Sequence, residues 1–177
     1  MQKRLRFKPA GTTLYPMDDE TAEQAARQLG YTKETLSRTG ITLTEALYLI
    51  YKGYKIEVNG EEKSFKELLA ESARTNPYAW VELEVYIDLR RRGRIIHRGP
   101  RPHTFLVKRR KNAPAYDYYV LVLEENRLIP LRQLTEFVEE ARKNDWTPLL
   151  AIVDRYGDIV YYTPIIFRAA PGAREIP

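Results

Sequence analysis

The run Tyr118-Tyr119-Val120-Leu121-Val122-Leu123 constrains this chain more than any other feature. A strand with water on one face alternates apolar and polar side chains. A continuous apolar run reads instead as a strand covered on both faces. Leu149-Leu150-Ala151-Ile152-Val153 reads the same way. Between the two runs, Pro130 suits the first turn of a helix, where an N–H has no intrahelical partner and a fixed φ is an advantage. Leu131, Leu134, Val138 and Ala141 then fall at helical spacing and are expected on its buried face. Upstream, Trp80, Leu83 and Ile87 space as a helix ending at Gly93, and residues 94–97 and 104–108 read as strands around Gly99-Pro100-Arg101-Pro102. Downstream, Asp154-Arg155-Tyr156-Gly157 turns the second buried strand into Asp158 to Tyr162. Helix, strands, helix and two strands make an α/β (α+β) domain, a mixed central sheet flanked by helices. Pro171, Gly172 and Pro177 imply a frayed tail.

The first part of the chain carries its own punctuation. Asp18 to Leu29 reads as a short helix closed by Gly30. Thr42-Leu43-Thr44-Glu45 is a capping box, in which the Thr side chain accepts from an early helical N–H while the Glu reaches back. Ala46, Leu47 and Ile50 share a face, and Gly53 suits a left-handed stop. Tyr54 to Val58 alternates as a strand, Asn59-Gly60 is a turn, and Ser64 to Glu67 is a second capping box, for a helix with Phe65, Leu68 and Leu69. This small α/β unit ends near Arg74-Thr75-Asn76-Pro77, so the expected domains are residues 1–77 and 78–177.

Charge and composition narrow the function. The 177 residues include no cysteine and two histidines, which excludes disulfides and thiolate sites and leaves little for a histidine-based metal site. No apolar run approaches the roughly 20 residues that span a bilayer. The basic N-terminus, Met1-Gln2-Lys3-Arg4-Leu5-Arg6, leads into no apolar signal core, so a cytoplasmic protein is expected. The net charge of +5 is concentrated: between Tyr86 and Asn112 stand ten Lys or Arg against the single acid Asp88. Such a field favours a polyanion such as nucleic acid, although Arg and Lys are also ordinary residues of a solvated face.

Three stretches carry a resemblance. Ile41 to Ile50, with Gly53 and Ile56-Glu57-Val58, is the first. The second is Val85-Tyr86-Ile87-Asp88-Leu89-Arg90-Arg91-Arg92-Gly93. The third runs from Leu150 to Tyr162 and contains Asp154-Arg155-Tyr156-Gly157-Asp158-Ile159-Val160-Tyr161-Tyr162. Their order over about 120 residues resembles the archaeal tRNA-splicing endonuclease family. The resemblance implies a nuclease-like C-terminal domain and RNA cleavage by attack of a 2′-hydroxyl on the adjacent phosphate, leaving 2′,3′-cyclic phosphate and 5′-hydroxyl ends. That chemistry needs a base, an acid and a cation, but neither metal nor cofactor. The family supplies Tyr, His and Lys. The equivalent places here fall near Lys108, Tyr116 and Thr147, and no histidine follows His103. No catalytic residue is therefore assigned.

The family builds assemblies of four nuclease-type units, some from a catalytic and a structural chain taken two by two. The resemblance implies that this chain is the structural kind, a heterotetramer subunit working with a catalytic partner on precursor tRNA containing a bulge-helix-bulge. Arg90, Arg91, Arg92, Arg94, Arg98, Arg101, Arg109 and Arg110 are the candidate RNA contacts, although an acidic loop of the partner would attract them equally. Asp154, Asp158, Tyr161 and Tyr162 are the candidate interface. The Asp pair fits a partner's basic cleft, or merely its own turn, and strand alternation puts at least one of the tyrosines in the core. Tyr116 and Tyr118 stack on RNA or belong to the core. His103 is expected to be an exposed loop residue. An active ribonuclease using relocated His103, Tyr116 and Lys108, and a stand-alone RNA-binding module, are the alternatives.

Overall fold

The structure is a computed structural model that describes residues 3–166; the expected frayed tail around Pro171, Gly172 and Pro177 lies outside the described residues. The elements in order are β1 (Arg4–Ala10), β2 (Thr13–Pro16), α1 (Asp19–Leu29), α2 (Lys33–Thr39), β3 (Ile41–Thr42), α3 (Leu43–Tyr51), β4 (Lys55–Val58), β5 (Glu61–Lys63), α4 (Phe65–Thr75), α5 (Ala79–Arg91), β6 (Ile95–Arg98), β7 (Thr104–Lys108), β8 (Tyr118–Glu124), α6 (Leu131–Lys143), β9 (Thr147–Val153) and β10 (Ile159–Tyr162). They form two five-stranded sheets, ordered β3-β2-β1-β4-β5 and β10-β9-β8-β7-β6. Each is mixed, with one parallel pair: β1 with β4 in the first, β8 with β9 in the second.

Local signals account for most boundaries. Both capping boxes form, Thr42 with Glu45 on α3 and Ser64 with Glu67 on α4. Asn59 and Gly60 both take positive φ, the backbone of a tight hairpin turn between β4 and β5. Strands β1, β2 and β5 and helix α2 lie where the sequence reading carried no expectation. In β1 the signal was present, since Leu5 and Phe7 are buried between exposed Arg4, Arg6 and Lys8.

The apolar run is buried as its composition demands. Tyr119 to Val122 are all inside, and alternation sends them to opposite faces. Val120 and Val122 join the main core with α5 and the N-terminal elements, while Tyr119 and Leu121 pack under Phe137, Val138 and Ala141 of α6. Two details of α6 correct the sequence reading. Pro130 is the residue before the helix, with extended ψ of 133°, and Leu131 is 77% exposed. Burial deepens along α6 from Leu134 onward, so its first turn overhangs the sheet, and the helical period alone cannot reveal that.

The two halves are closely joined. Gly30, at φ 85°, ends α1, and a Cβ there would meet Ile95 of β6 at 2.8 Å. Tyr86 of α5 packs edge-on against Tyr48 of α3 and Phe105 of β7.

Candidate functional site

Sheet connectivity gathers the three positions to which the resemblance pointed. β7 runs antiparallel to β8, so its last residue, Lys108, lies at the end where β8 begins. β8 and β9 are parallel, with Tyr118 opposite Thr147, and Tyr116 stands just ahead of β8. Lys108, Tyr116 and Thr147 therefore share one end of the second sheet.

A histidine joins them, though not the expected one. His97 projects from β6, and its Nδ1 lies 2.7 Å from Tyr116 Oη. Lys108 Nζ donates to the Ala113 carbonyl at 2.9 Å and sits 5.0 Å from the centre of the Tyr116 ring. The other face of His97 is covered by Tyr31, stacked at 4.1 Å and 17°. Tyr31 Oη donates to Glu45 Oε1 at 2.7 Å, and Glu45 Oε2 accepts from the Thr42 backbone N–H. The line Lys108, Tyr116, His97, Tyr31, Glu45 thus runs from the C-terminal sheet into the N-terminal half.

Burial sets the protonation of this line. It lowers His97 to about 4, with Lys108 and Arg90 pushing the same way, and His97 Nε2 is enclosed beside the Gly30 backbone without a hydrogen bond of normal geometry. Burial also raises Tyr116, and raises Tyr31 with the help of Glu45. Glu45 itself is raised, because desolvation outweighs its hydrogen bonds. A proton-transfer catalyst works best near the operating pH. His97 is neutral far above its own value and Tyr116 is shifted away from neutrality, so this cluster is matched to packing better than to acid–base work.

His103 does not join the cluster and corrects its expectation. It is partly buried, with Nδ1 2.6 Å from Glu82 Oε1 and its ring 4.2 Å from Tyr78. It belongs to a hydrogen-bonded network and is not a free loop residue. Tyr118 is partly buried beneath Arg109, while Tyr119 is the fully buried aromatic of that stretch.

The arginine cluster divides by partner. Arg90 is drawn inward, bonded to the carbonyls of Gln28 and Leu29 at the end of α1 and lying over the Tyr48 ring. That corrects its place among exposed candidates: a free helix end needs cations, and Arg90 meets that need. Arg101 is held by Glu136 at 2.9 Å and Glu140 at 2.7 Å, and Glu140 also accepts from Tyr119 Oη. Arg91 rests on Tyr51, Arg92 pairs with Asp88 beside Tyr161, and Arg94 reaches the carbonyl of Arg109. Arg109 bonds Tyr118 Oη and lies 3.5 Å from Asp117. Arg98 and Arg110 are exposed. The sequence reading missed His97, Tyr31 and Glu45 as a unit, because the pairs within it are 14 to 66 positions apart and only folding joins them.

The hairpin is different in character. Asp154 Oδ1 accepts from the N–H groups of Tyr156 and Asp158, which is the turn-making role. Asp158 is exposed. Tyr161 faces inward and donates to Asp88 Oδ2 at 2.7 Å. Its hydroxyl is raised by burial first and by Asp88 second. β10 is an edge strand, and on its outer face Val160 is 50% and Tyr162 53% exposed. Tyr156 and Ile165 extend this apolar surface, at 74% and 65% exposed.

Comparison with known proteins adds a family match. Residues 79–161 match the family described as tRNA intron endonuclease, catalytic C-terminal domain. The chain is 28% identical over 163 residues to the tRNA-splicing endonuclease of Pyrococcus abyssi, covering 92% of this chain and 96% of that protein. The Pyrococcus furiosus protein of the same name is 29% identical with the same coverage. The Methanococcoides burtonii protein is 34% identical over 137 residues, which is 75% of this chain but 38% of that longer protein.

Proposed function

We propose that this chain, whose residues 79–161 match the tRNA intron endonuclease family, is the structural, non-catalytic subunit of a heteromeric tRNA-splicing endonuclease. It pairs with a catalytic chain of the same fold, two copies of each, and scaffolds that chain and the precursor tRNA for intron removal in the cytoplasm. Residues 1–77 and 78–177 act as its two domains. One observation carries the reading. The end of the sheet to which the resemblance assigns the triad positions holds Lys108, Tyr116 and Thr147, with the first two tied down by Ala113 and His97. A tyrosine held by an internal hydrogen bond and raised by burial contributes little to proton transfer near neutral pH.

The exposed edge strand supports the assembly. An unpaired apolar edge is a liability that soluble chains normally blunt or cover. Asp158 beside it adds the charge that selects a partner with a basic cleft. Within the arginine cluster, Arg98 and Arg110 are the best placed to meet phosphate; Arg90 and Arg101 serve the fold.

A relocated active site is the second reading, favoured by the meeting of His97, Tyr116 and Lys108. His103, bound to Glu82, has no part in it. The readings part on one assay. The purified chain is incubated with a bulge-helix-bulge RNA, alone and with a catalytic homologue. No cleavage alone and cleavage with the homologue is the expected result. Cleavage by the chain alone, lost in His97→Ala, establishes the second reading instead.

A further inference from the structure

A cavity of about 390 Å³ opens between the two halves, at the opposite end of β6 and β7 from Lys108. Its size lies at the lower end of the roughly 300–1,000 Å³ of small-molecule sites. The first turn of α3, the end of α4, the first half of α5 and the β6–β7 loop line it. Six polar or charged residues are buried among the described residues, and five of them line this one cavity: Thr44, Glu45, Ser72, Glu82 and Thr104. A gap left by imperfect packing of two apolar surfaces is lined by apolar side chains and stays dry, whereas a polar lining holds water or a ligand.

Three of the five are satisfied within the chain. Glu45 is bonded to Tyr31 and Thr42, Glu82 to His103 and Asn76, and Thr104 to Arg101. Thr44 and Ser72 are not. They are 6% and 5% exposed, and neither hydroxyl has a hydrogen-bond partner among the described residues. Nor is either sealed off, as the unpartnered Tyr86 Oη and His97 Nε2 are. The little surface that each residue keeps therefore includes its hydroxyl, and the cavity is the space that both residues line. Buried hydroxyls are almost always paired, so two left open to one cavity mark places for the polar atoms of a ligand. The charges nearby select neither sign of ion: Glu82 stands in the lining, Arg98 is exposed, and Arg101 is held by Glu136 and Glu140. Leu43 and Phe105 give the lining an apolar part.

We propose that this cavity binds a small uncharged polyol of monosaccharide size, with its hydroxyls paired to Thr44 Oγ1 and Ser72 Oγ and its C–H groups against Leu43 and Phe105. A hydroxyl both donates and accepts, so a ligand rich in hydroxyls matches two open hydroxyls without bringing a charge into the cavity. The same chemistry is available from a free sugar and from the ribose of a nucleoside. The site goes beyond the scaffolding role and does not depend on it.

Ligand-observed NMR titration of the full chain tests it, with D-ribose, D-glucose, uridine and inorganic phosphate as probes. At least one of the three polyols is expected to bind saturably with Kd below about 10 mM, and phosphate not to bind. Thr44→Val and Ser72→Ala are each expected to weaken that binding by about 3- to 10-fold. Neither is expected to lower Tm, because neither hydroxyl has a partner in the fold. Thr135→Val, on α6 and outside the cavity, serves as the control and leaves binding unchanged. Uridine about 10-fold tighter than D-ribose assigns the site to a nucleoside, in keeping with a hydrogen bond or two gained beyond the sugar; equal or weaker binding assigns it to a free sugar. The proposal is overturned if no polyol binds, which leaves a cavity holding water alone, or if phosphate binds as tightly as the sugars. It is also overturned if the double variant Thr44→Val, Ser72→Ala keeps the affinity, or if either single variant loses Tm, since the hydroxyl would then be engaged by the protein itself.

Discussion

The C-terminal sheet has two regions that invite comparison: the end holding Lys108, Tyr116 and Thr147, and the edge formed by β10. At the first, Thr147 is exposed, but Lys108 and Tyr116 are partly buried and engaged within the chain. Tyr116 is bonded to His97, His97 is covered by Tyr31, and Tyr31 is bonded to Glu45. At the second, the apolar side chains of Val160 and Tyr162 face outward on a strand paired, among the described residues, only with β9. Each inverts the usual rule that polar groups stay wet and apolar groups dry. The first inversion is resolved inside the chain by hydrogen bonds and stacking. The second has no internal resolution among the described residues, and it is the edge that the proposed assembly would cover.

Breaking the edge has the largest expected effect. Val160→Lys combined with Tyr162→Lys places two charges on the outer face of β10. The fold should survive, because both side chains are about half exposed. Association with a catalytic homologue should weaken roughly 100-fold or more, as for loss of a central apolar anchor. Sedimentation of the mixture reads it; an unchanged complex would mean that the edge is not the interface.

The polar end is probed by pH. His97 is lowered to about 4 in the fold against 6.5 when free. The unfolded chain therefore binds a proton that the folded chain resists. Stability from this residue is full above about pH 6.5 and is lost as pH falls toward 4. After allowance for a partly exposed ring, the loss is roughly 2 kcal/mol. Glu45, raised in the fold, acts in the opposite sense: its contribution is full below its unfolded value and lost as pH rises through the folded one. It is common to the wild type and His97→Phe and cancels in their difference. Urea unfolding at pH 7.5 and 4.5 should show the wild type losing more than His97→Phe by that amount. Equal losses would show that the ring is not sealed.

The smallest effect separates the two roles of the hairpin acids. Asp154→Ala removes an acceptor for two backbone N–H groups and should cost about 1 kcal/mol of stability. Asp158→Asn should leave Tm unchanged and weaken assembly several-fold, because its side chain is exposed and the change removes only charge. If Asp154→Ala weakens assembly no more than its loss of stability explains, Asp154 is a turn residue alone.

What the sequence determined by itself is what neighbours along the chain decide. Capping boxes at Thr42 and Ser64, the turn at Asn59-Gly60, the two-faced burial of Tyr119 to Val122 and the inward turn of one hairpin tyrosine all follow from spacings of a few residues. The absence of a histidine after His103 is equally a property of the string. Tertiary structure decided what each charge and ring is for. Arg90 bonds carbonyls 61 and 62 positions away, Tyr161 reaches Asp88 across 73, and Arg101 finds Glu136 and Glu140 on a helix from another part of the domain. An arginine beside a phosphate and one closing a helix end look alike in sequence, because the partner that desolvates the guanidinium is supplied only when distant segments meet.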